Sequence, residues 1–290
     1  MDAKLDNSLL NAKHQAISLI HEQLHIDKQD IKSIILQTKG WTNKIFLFKL
    51  TNKEKYIVRI AAKDKLINRS CEIQVLNLLK NFNNYDFIFI DNKTGNYIMK
   101  YIDGRVVNKS DVRNPEFLKL LAKKIKQLHA LKINKNYSIK SNDDHQYDKF
   151  KNHLDIKYQD MYSYLLKKHK NQKHCICHHD LTPWNIIYNS KKHQLTLIDF
   201  EWTRINSPYF DLANFIRESK IHNTNYEKIF LSAYDKKIKQ EFITDYLYIC
   251  SYFSYLWTYS IKTYRNILLY RTKTLRLVKK YYQEIKQRNK

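Results

Sequence analysis

The run His178-His179-Asp180-Leu181-Thr182-Pro183-Trp184-Asn185, followed by Leu197-Ile198-Asp199-Phe200-Glu201, is the most informative stretch of the chain. It has the spacing H-x-D-x-x-x-x-N, then D-F after a short hairpin. Strand-like residues at His174–Cys177, Ile186–Tyr188 and Leu195–Ile198 flank the two motifs. Such a strand-loop-strand frame brings Asp180, Asn185 and Asp199 within reach of one another. Phosphoryl transfer needs little covalent help, but it demands positioning and charge neutralisation. Asp180 suits the task of taking or orienting the proton of an attacking hydroxyl. Asp199 suits the holding of magnesium on phosphates, and the amide oxygen of Asn185 can complete a shell of hard oxygen ligands. An H-x-D pair alone is common, and isolated aspartates often only cap loops; the full spacing between apolar strands is much rarer.

Working outward, the first hundred residues predict five strands with one helix inserted after the third. An amphipathic helix covers Ser8 to about Leu24. Ser33–Gln37 and Lys44–Leu50 are strand-like around a turn holding Gly40, and Glu54–Ala61 follows as a third strand. Leu66–Asn81 carries apolar residues at helical spacing, and Asp86–Ile90 and Asn96–Tyr101 complete the set. The remainder is mainly helical. Asn114-Pro115-Glu116 is a helix start, with a capping residue, then Pro, then an acid at the positive dipole end. A polar stretch from Asn134 to Tyr147 predicts a loop, Phe150 to Lys168 a helix, and the chain is helical and Tyr-rich from Phe210 on.

The chain has 290 residues and a hydrophobic fraction of 43%, enough for a substantial core and too apolar for disorder. No apolar run suggests a membrane span, and MDAKLDNSLL lacks the layout of a signal peptide, so a cytoplasmic location is expected. The net charge is +24, from 52 basic and 28 acidic residues. That field attracts anions. The lysines are scattered, however, and no recognition motif accompanies them, so no specific nucleic acid is expected as partner. Codon bias toward Lys, Asn, Ile and Tyr accounts equally well for the charge. Cys175, Cys177, His178 and His179 look like a metal cluster, but their alternation fits a buried strand and no second ligand pair lies at zinc-finger spacing.

The segment Ile198-Asp199-Phe200-Glu201-Trp202 through Tyr209-Phe210-Asp211-Leu212-Ala213-Asn214-Phe215 resembles the signature of the choline/ethanolamine kinase family, which belongs with the aminoglycoside phosphotransferases. The resemblance is sharp from His174 to Glu218, fair from Gln37 to Tyr101 and weak after Tyr226. It implies an α+β, protein-kinase-like two-lobed fold. Residues 1–101 would form an N-lobe with a five-stranded antiparallel sheet and a helix, and residues 102–290 a mainly helical C-lobe with the catalytic loop and acceptor site. The implied cofactors are ATP and Mg2+.

Residue by residue, Gly40, Thr42 and Asn43 fall where the family writes G-x-T-N and would meet phosphate oxygens. Tyr56-Ile57-Val58-Arg59-Ile60 resembles the strand whose arginine grips phosphates, with Glu72 placed to pair with Arg59; Arg69 also matches a family position. Met99 and Tyr101 belong to the hinge whose backbone reads adenine. Asp211 and Asn214 are anchors after the metal motif, and Asp211 is expected to hold the catalytic loop. Glu218 lies where the family places an acid facing an ammonium group; an exposed helix carboxylate is the other reading. Trp202, Tyr255 and Trp257 would supply aromatic faces for a quaternary ammonium, although an aromatic stripe at this spacing also suits a core. The partner one turn before Trp257 falls on Ser254.

The expected activity is transfer of the ATP γ-phosphate to a small amino alcohol, choline first. Ethanolamine, thiamine or an aminoglycoside are alternatives, and a non-catalytic nucleotide- or nucleic-acid-binding protein is the rival of another class. The D-F-E motif and the lack of a peptide-docking segment argue against a protein substrate.

Overall fold

The computed structural model describes residues 2–37, 43–62, 69–83, 85–132, 144–261 and 265–289. The chain divides into two compact units, Met1–Gly104 and Arg105–Lys290. Arg105 opens a strand that pairs within the second unit.

In the first unit, α1 (Asp2–Leu24) precedes the strands β1 (Ile31–Leu36), β2 (Lys44–Leu50) and β3 (Lys55–Ile60). Helix α2 (Arg69–Asn83) and strands β4 (Phe87–Ile90) and β5 (Tyr97–Lys100) follow. The five strands form one antiparallel sheet in the order β1-β2-β3-β5-β4. Helix α1 packs on β2 and β3. The spacing of Ala12, Ala16 and Ile20 explains this: three residues one turn apart form a narrow stripe that meets Phe46, Phe48, Leu50, Tyr56 and Val58 on one sheet face. Each fully buried aliphatic or Phe side chain contributes about 1.5–3 kcal/mol by leaving water, so this face is a substantial support of the sheet.

In the second unit, β6 (Arg105–Val106) pairs with β8 (Ile186–Asn189), which forms a hairpin with β9 (Gln194–Leu197). Strand β7 (Cys175–Cys177) pairs with β10 (Arg204–Asn206), and neither β6 nor β10 was legible in the sequence. Around them lie α3 (Pro115–His129), α4 (Ile156–His169), α5 (Pro208–Ser219), α6 (Asn225–Tyr234), α7 (Gln240–Trp257) and α8 (Arg265–Arg288). Helix α3 begins as its sequence predicts, with the Asn114 side chain accepting from the amides of Glu116 and Phe117. The helix expected from Phe150 is instead two pieces. A 3-10 stretch covers Asp144–His153, and α4 begins only after the extended Asp155. Gln159 Nε2 donates to the Lys151 and Leu154 carbonyls and seals that break.

Candidate active site

Asp180, Asn185 and Asp199 are held by backbone geometry that begins in two neighbouring strand pairs. Strand β7 delivers His178, His179 and Asp180, and a 3-10 turn at Pro183–Asn185 returns the chain into β8. The amide of Ile198 donates to the Asn185 carbonyl at 2.9 Å, which sets Asn185 beside the Asp199 segment. His179 and Asp199 both have φ of 66°, in the left-handed region. Non-glycine residues there are uncommon, and aspartate tolerates the region better than most.

The loop is fastened from below. Asp211, fully buried on α5, accepts from the amides of His178 (2.7 Å) and His179 (2.8 Å) and pairs with His129 Nε2 at 3.0 Å. Burial alone would raise the Asp211 carboxyl, but the hydrogen bond and charge of His129 and the bond from the His179 amide outweigh it and hold it low. Asn214, one turn on, donates to the Leu181 carbonyl at 3.3 Å. The expected loop-holding part for Asp211 therefore has a direct geometric basis. His178 ties the two motifs together. Its Nδ1 accepts from the Asp180 amide at 3.3 Å, so Nε2 carries the proton that the Ile198 carbonyl accepts at 2.8 Å. Burial holds this imidazole neutral, as that tautomer requires.

Asn185 Nδ2 donates to Asp180 Oδ2 and to the Asp180 carbonyl, each at 2.9 Å. That fixes the amide's orientation and leaves its oxygen as a ligand atom. Removal from water and then the charge of Glu218 raise the Asp180 carboxyl to about 7, against the pull of Asn185. A carboxyl near neutrality is well matched to proton transfer. The Asp199 carboxylate and the Asn185 oxygen are hard donors of the kind that suit Mg2+, and the donor set therefore fits that ion.

Glu218, Tyr270, Lys273 and Trp257 come together from three helices. The Glu218 side chain is only 5% exposed, which excludes the exposed-carboxylate reading. Lys273 Nζ lies 2.9 Å from Oε2, the Tyr270 hydroxyl donates to Oε1 at 3.1 Å, and Arg217 lies 3.2 Å from Oε1. Burial would raise this carboxyl too, but Arg217 and Lys273 outweigh it and keep it below the usual range. Trp257 meets Tyr270 edge to face, with centroids 6.2 Å apart. Ser254 hydrogen-bonds to Tyr270. Tyr270 and Lys273 had no sequence signal, since both lie more than fifty residues from Glu218 in a region that read only as helical and Tyr-rich. Tyr255 does not join them. It is two residues from Trp257, on the other side of α7, and its buried hydroxyl donates to the His153 carbonyl and meets Tyr259. Trp202 is buried, and among the described residues it makes no ring contact with Trp257.

In the first unit, Arg59 is 2% exposed and pairs with Glu72, as its spacing suggested; a solvated Glu72 is excluded. Arg69 holds the other Glu72 oxygen at 2.7 Å. Arg59 is also bound by the Gly95 carbonyl, through Nε at 3.1 Å and NH2 at 2.6 Å, and lies over the Tyr97 ring. Gly95 has φ of +79°, and a Cβ there would come within 2.9 Å of Arg69 Cδ. Both the turn and the close approach thus require glycine. Gly40 and Thr42 lie outside the described residues. Asn43 is buried, and its oxygen accepts from the Ala62 amide and from Arg69. It ties the end of β3 to α2, where a phosphate contact had been expected. Met99 is buried between Ile57 and Phe87 in the sheet. The Tyr101 amide donates to the Lys55 carbonyl, so that N–H is not available to a base. Removing one partner of a buried ion pair costs about 3–5 kcal/mol. Arg59→Ala is accordingly expected to lose that much stability in urea unfolding, and a loss under about 1 kcal/mol, the worth of an exposed pair, would contradict the buried role.

The alternating cysteines form strand β7, and Cys175 and Cys177, two apart, share a face with sulfurs 3.7 Å apart, beside His129. Both His129 nitrogens are already engaged, by Tyr234 and by Asp211.

The model of the choline/ethanolamine kinase family matches residues 34–286. The chain belongs to that family. An uncharacterised protein of Mycoplasma pneumoniae is 31% identical over 266 residues, covering 89% of each chain. The mouse protein ethanolamine kinase 1 is 23% identical, over 84% of this chain and 74% of its own. Among solved structures, the choline kinase LicA of Streptococcus pneumoniae superposes with a TM-score of 0.77 at 22% identity, over 93% of this chain and 99% of that one. The chain is thus an α+β, protein-kinase-like phosphotransferase that acts on the alcohol group of a small molecule and uses a nucleotide. No helix among the described residues is long and apolar enough to cross a membrane.

Proposed function

We propose that the chain transfers the γ-phosphoryl group of ATP to the hydroxyl of choline. Asp180 takes the proton of the attacking hydroxyl, and Asn185 fixes the Asp180 carboxylate. Mg2+, held by Asp199 and the Asn185 oxygen, would neutralise charge on the phosphates. Arg59, with Glu72, belongs to the nucleotide side. The observation that carries the acceptor assignment is Glu218: its charge is felt at Asp180, Tyr270 bonds to it, and Trp257 meets the Tyr270 ring. A trimethylammonium group donates no hydrogen bonds and is held by aromatic faces with a carboxylate nearby. The names of related proteins, choline and ethanolamine kinases, support the same class of acceptor.

Ethanolamine is the second reading, and Lys273 favours it. Its primary ammonium lies 2.9 Å from Glu218, so that carboxylate already accepts from the kind of group ethanolamine carries. The two separate by experiment. A desolvated cation over a tryptophan face is worth about 2 kcal/mol, or roughly thirtyfold at about 1.4 kcal/mol per decade. With partial desolvation, Trp257→Ala is expected to raise the choline KM by about tenfold, with a smaller change in kcat. Ethanolamine, held through hydrogen bonds, is expected to lose less. Steady-state kinetics on both alcohols decide it. Equal losses on both, or none on choline, would make Trp257 a core residue and overturn the choline assignment.

A further inference from the structure

A cavity of about 460 Å³ lies between α5, the segment that follows it, and α8. Arg217, Lys220, His222, Lys273, Arg276 and Lys280 line it. None of Asp180, Asn185, Asp199 or Trp257 does. The acids that face these cations are few. Glu218 takes Arg217 and Lys273; His222 lies between Glu227 and Glu284; and Lys280 reaches Glu284 only at 3.7 Å. Among the described residues, Lys220 and Arg276 pair with no carboxylate. The cavity therefore keeps a surplus of positive charge after its own ion pairs are counted.

A second observation sits in its wall. The Arg217 side chain is 2% exposed, and NH1 and NH2 bond the Cys250 carbonyl and the Asn214 oxygen. Its Nε has no acceptor among the described residues. A buried guanidinium N–H left unmatched costs free energy, so the positive charge of this wall is not fully compensated by the protein's own acceptors. The rest of the wall is mostly apolar, with Ile216, Leu269 and Leu277 beside Thr272 and Tyr281, and Leu269 is 64% exposed.

We infer that this cavity is a binding site for a phosphate monoester. A dianionic phosphate offers several acceptor oxygens to diverging Lys and Arg donors, and the apolar wall accommodates a short organic stem. The volume falls in the usual range for small-molecule sites, about 300–1,000 Å³. Two sources share this chemistry: a soluble phosphorylated metabolite and the phosphate headgroup of a lipid. The inference rests on the cavity alone and does not depend on which alcohol is phosphorylated.

Calorimetric titration of the full chain with inorganic phosphate and with glycerol 3-phosphate, in about 0.15 M salt where the Debye length is about 8 Å, tests the soluble source. Co-sedimentation with phosphatidylcholine vesicles, with and without phosphatidic acid, tests the lipid source. The expected Kd for at least one phosphate probe is about 1 mM or tighter. Lys220→Gln with Arg276→Gln is expected to weaken that binding by at least about tenfold, as loss of charge-assisted bonds requires. The charge-matched pair Lys123→Gln with Lys126→Gln, on α3, should leave it unchanged. Lys220 and Arg276 are surface residues outside the transfer machinery, so turnover and melting temperature should hold. If the double variant melts early, Arg276→Gln alone carries the comparison. Binding to soluble probes identifies the metabolite source, and binding only to phosphatidic acid vesicles the lipid source. No binding by the wild type to any phosphate probe, or equal weakening by the α3 control pair, would overturn the inference.

Discussion

Asp180→Asn is expected to lower turnover by about 10²–10⁴-fold, the usual worth of a general base, while folding and nucleotide affinity stay near those of the wild type. The substitution preserves shape. Asn185 Nδ2 donates to Asp180 Oδ2 at 2.9 Å, and an asparagine oxygen at that point can accept the same bond. The loop itself is held by Asp211 and His178 through backbone groups, which the change leaves in place. Only the proton acceptor is lost. The wild-type profile gives an independent reading of the same group. The base is active when ionised, and its carboxyl is raised to about 7 by removal from water and by Glu218. In the apo enzyme kcat/KM should therefore fall as pH drops through neutrality, and the Asn variant should lack that limb. Single-turnover rates of both forms across pH test this. A variant with near-normal turnover, or one that retains the limb, would remove Asp180 from its assigned part.

Asp199→Asn is expected to lose both catalysis and magnesium-dependent nucleotide binding. Asparagine is the appropriate replacement because Asp199 has φ of 66°, a conformation that Asn also tolerates and Ala adopts at a cost. The variant thus separates loss of charge from loss of backbone geometry. A metal that neutralises transferring phosphate oxygens is worth several kcal/mol, and at about 1.36 kcal/mol per decade, some 4 kcal/mol corresponds to about 10³-fold in rate. Calorimetry with the nucleotide, in magnesium and in EDTA, provides the comparison. Wild type should bind much more tightly with magnesium, and the variant should show little difference. Unchanged magnesium-dependent affinity in a folded variant would move the metal away from Asp199.

These two expectations have opposite signatures, which makes the pair informative. Loss of Asp180 spares binding and stops transfer, whereas loss of Asp199 weakens both. A protein that merely bound nucleotide would respond to the second change and ignore the first.

Much of the fold, and the local frame around the candidate site, could be read in advance because both are written in local patterns. The five strands of the first unit follow from alternation and turns, the start of α3 from Asn114-Pro115-Glu116, and the juxtaposition of Asn185 and Asp199 from the β8–β9 hairpin that they flank, with Asp180 five residues before Asn185. Neighbours along the chain become neighbours in space when a strand turns back on itself, so spacing carries the geometry. What the tertiary structure alone decided lies between distant segments. It placed Tyr270 and Lys273 on Glu218, seated Tyr255 against His153 and away from Trp257, and spent the Asn43 oxygen on Arg69 and Ala62. It also made Gly95 the acceptor for Arg59 and gathered five fixed cations around one cavity. No periodicity encodes such meetings. In the second unit they depend on how helices α5, α7 and α8 pack, and which face of each turns inward is settled by the burial of the whole apolar surface, to which any single residue contributes little.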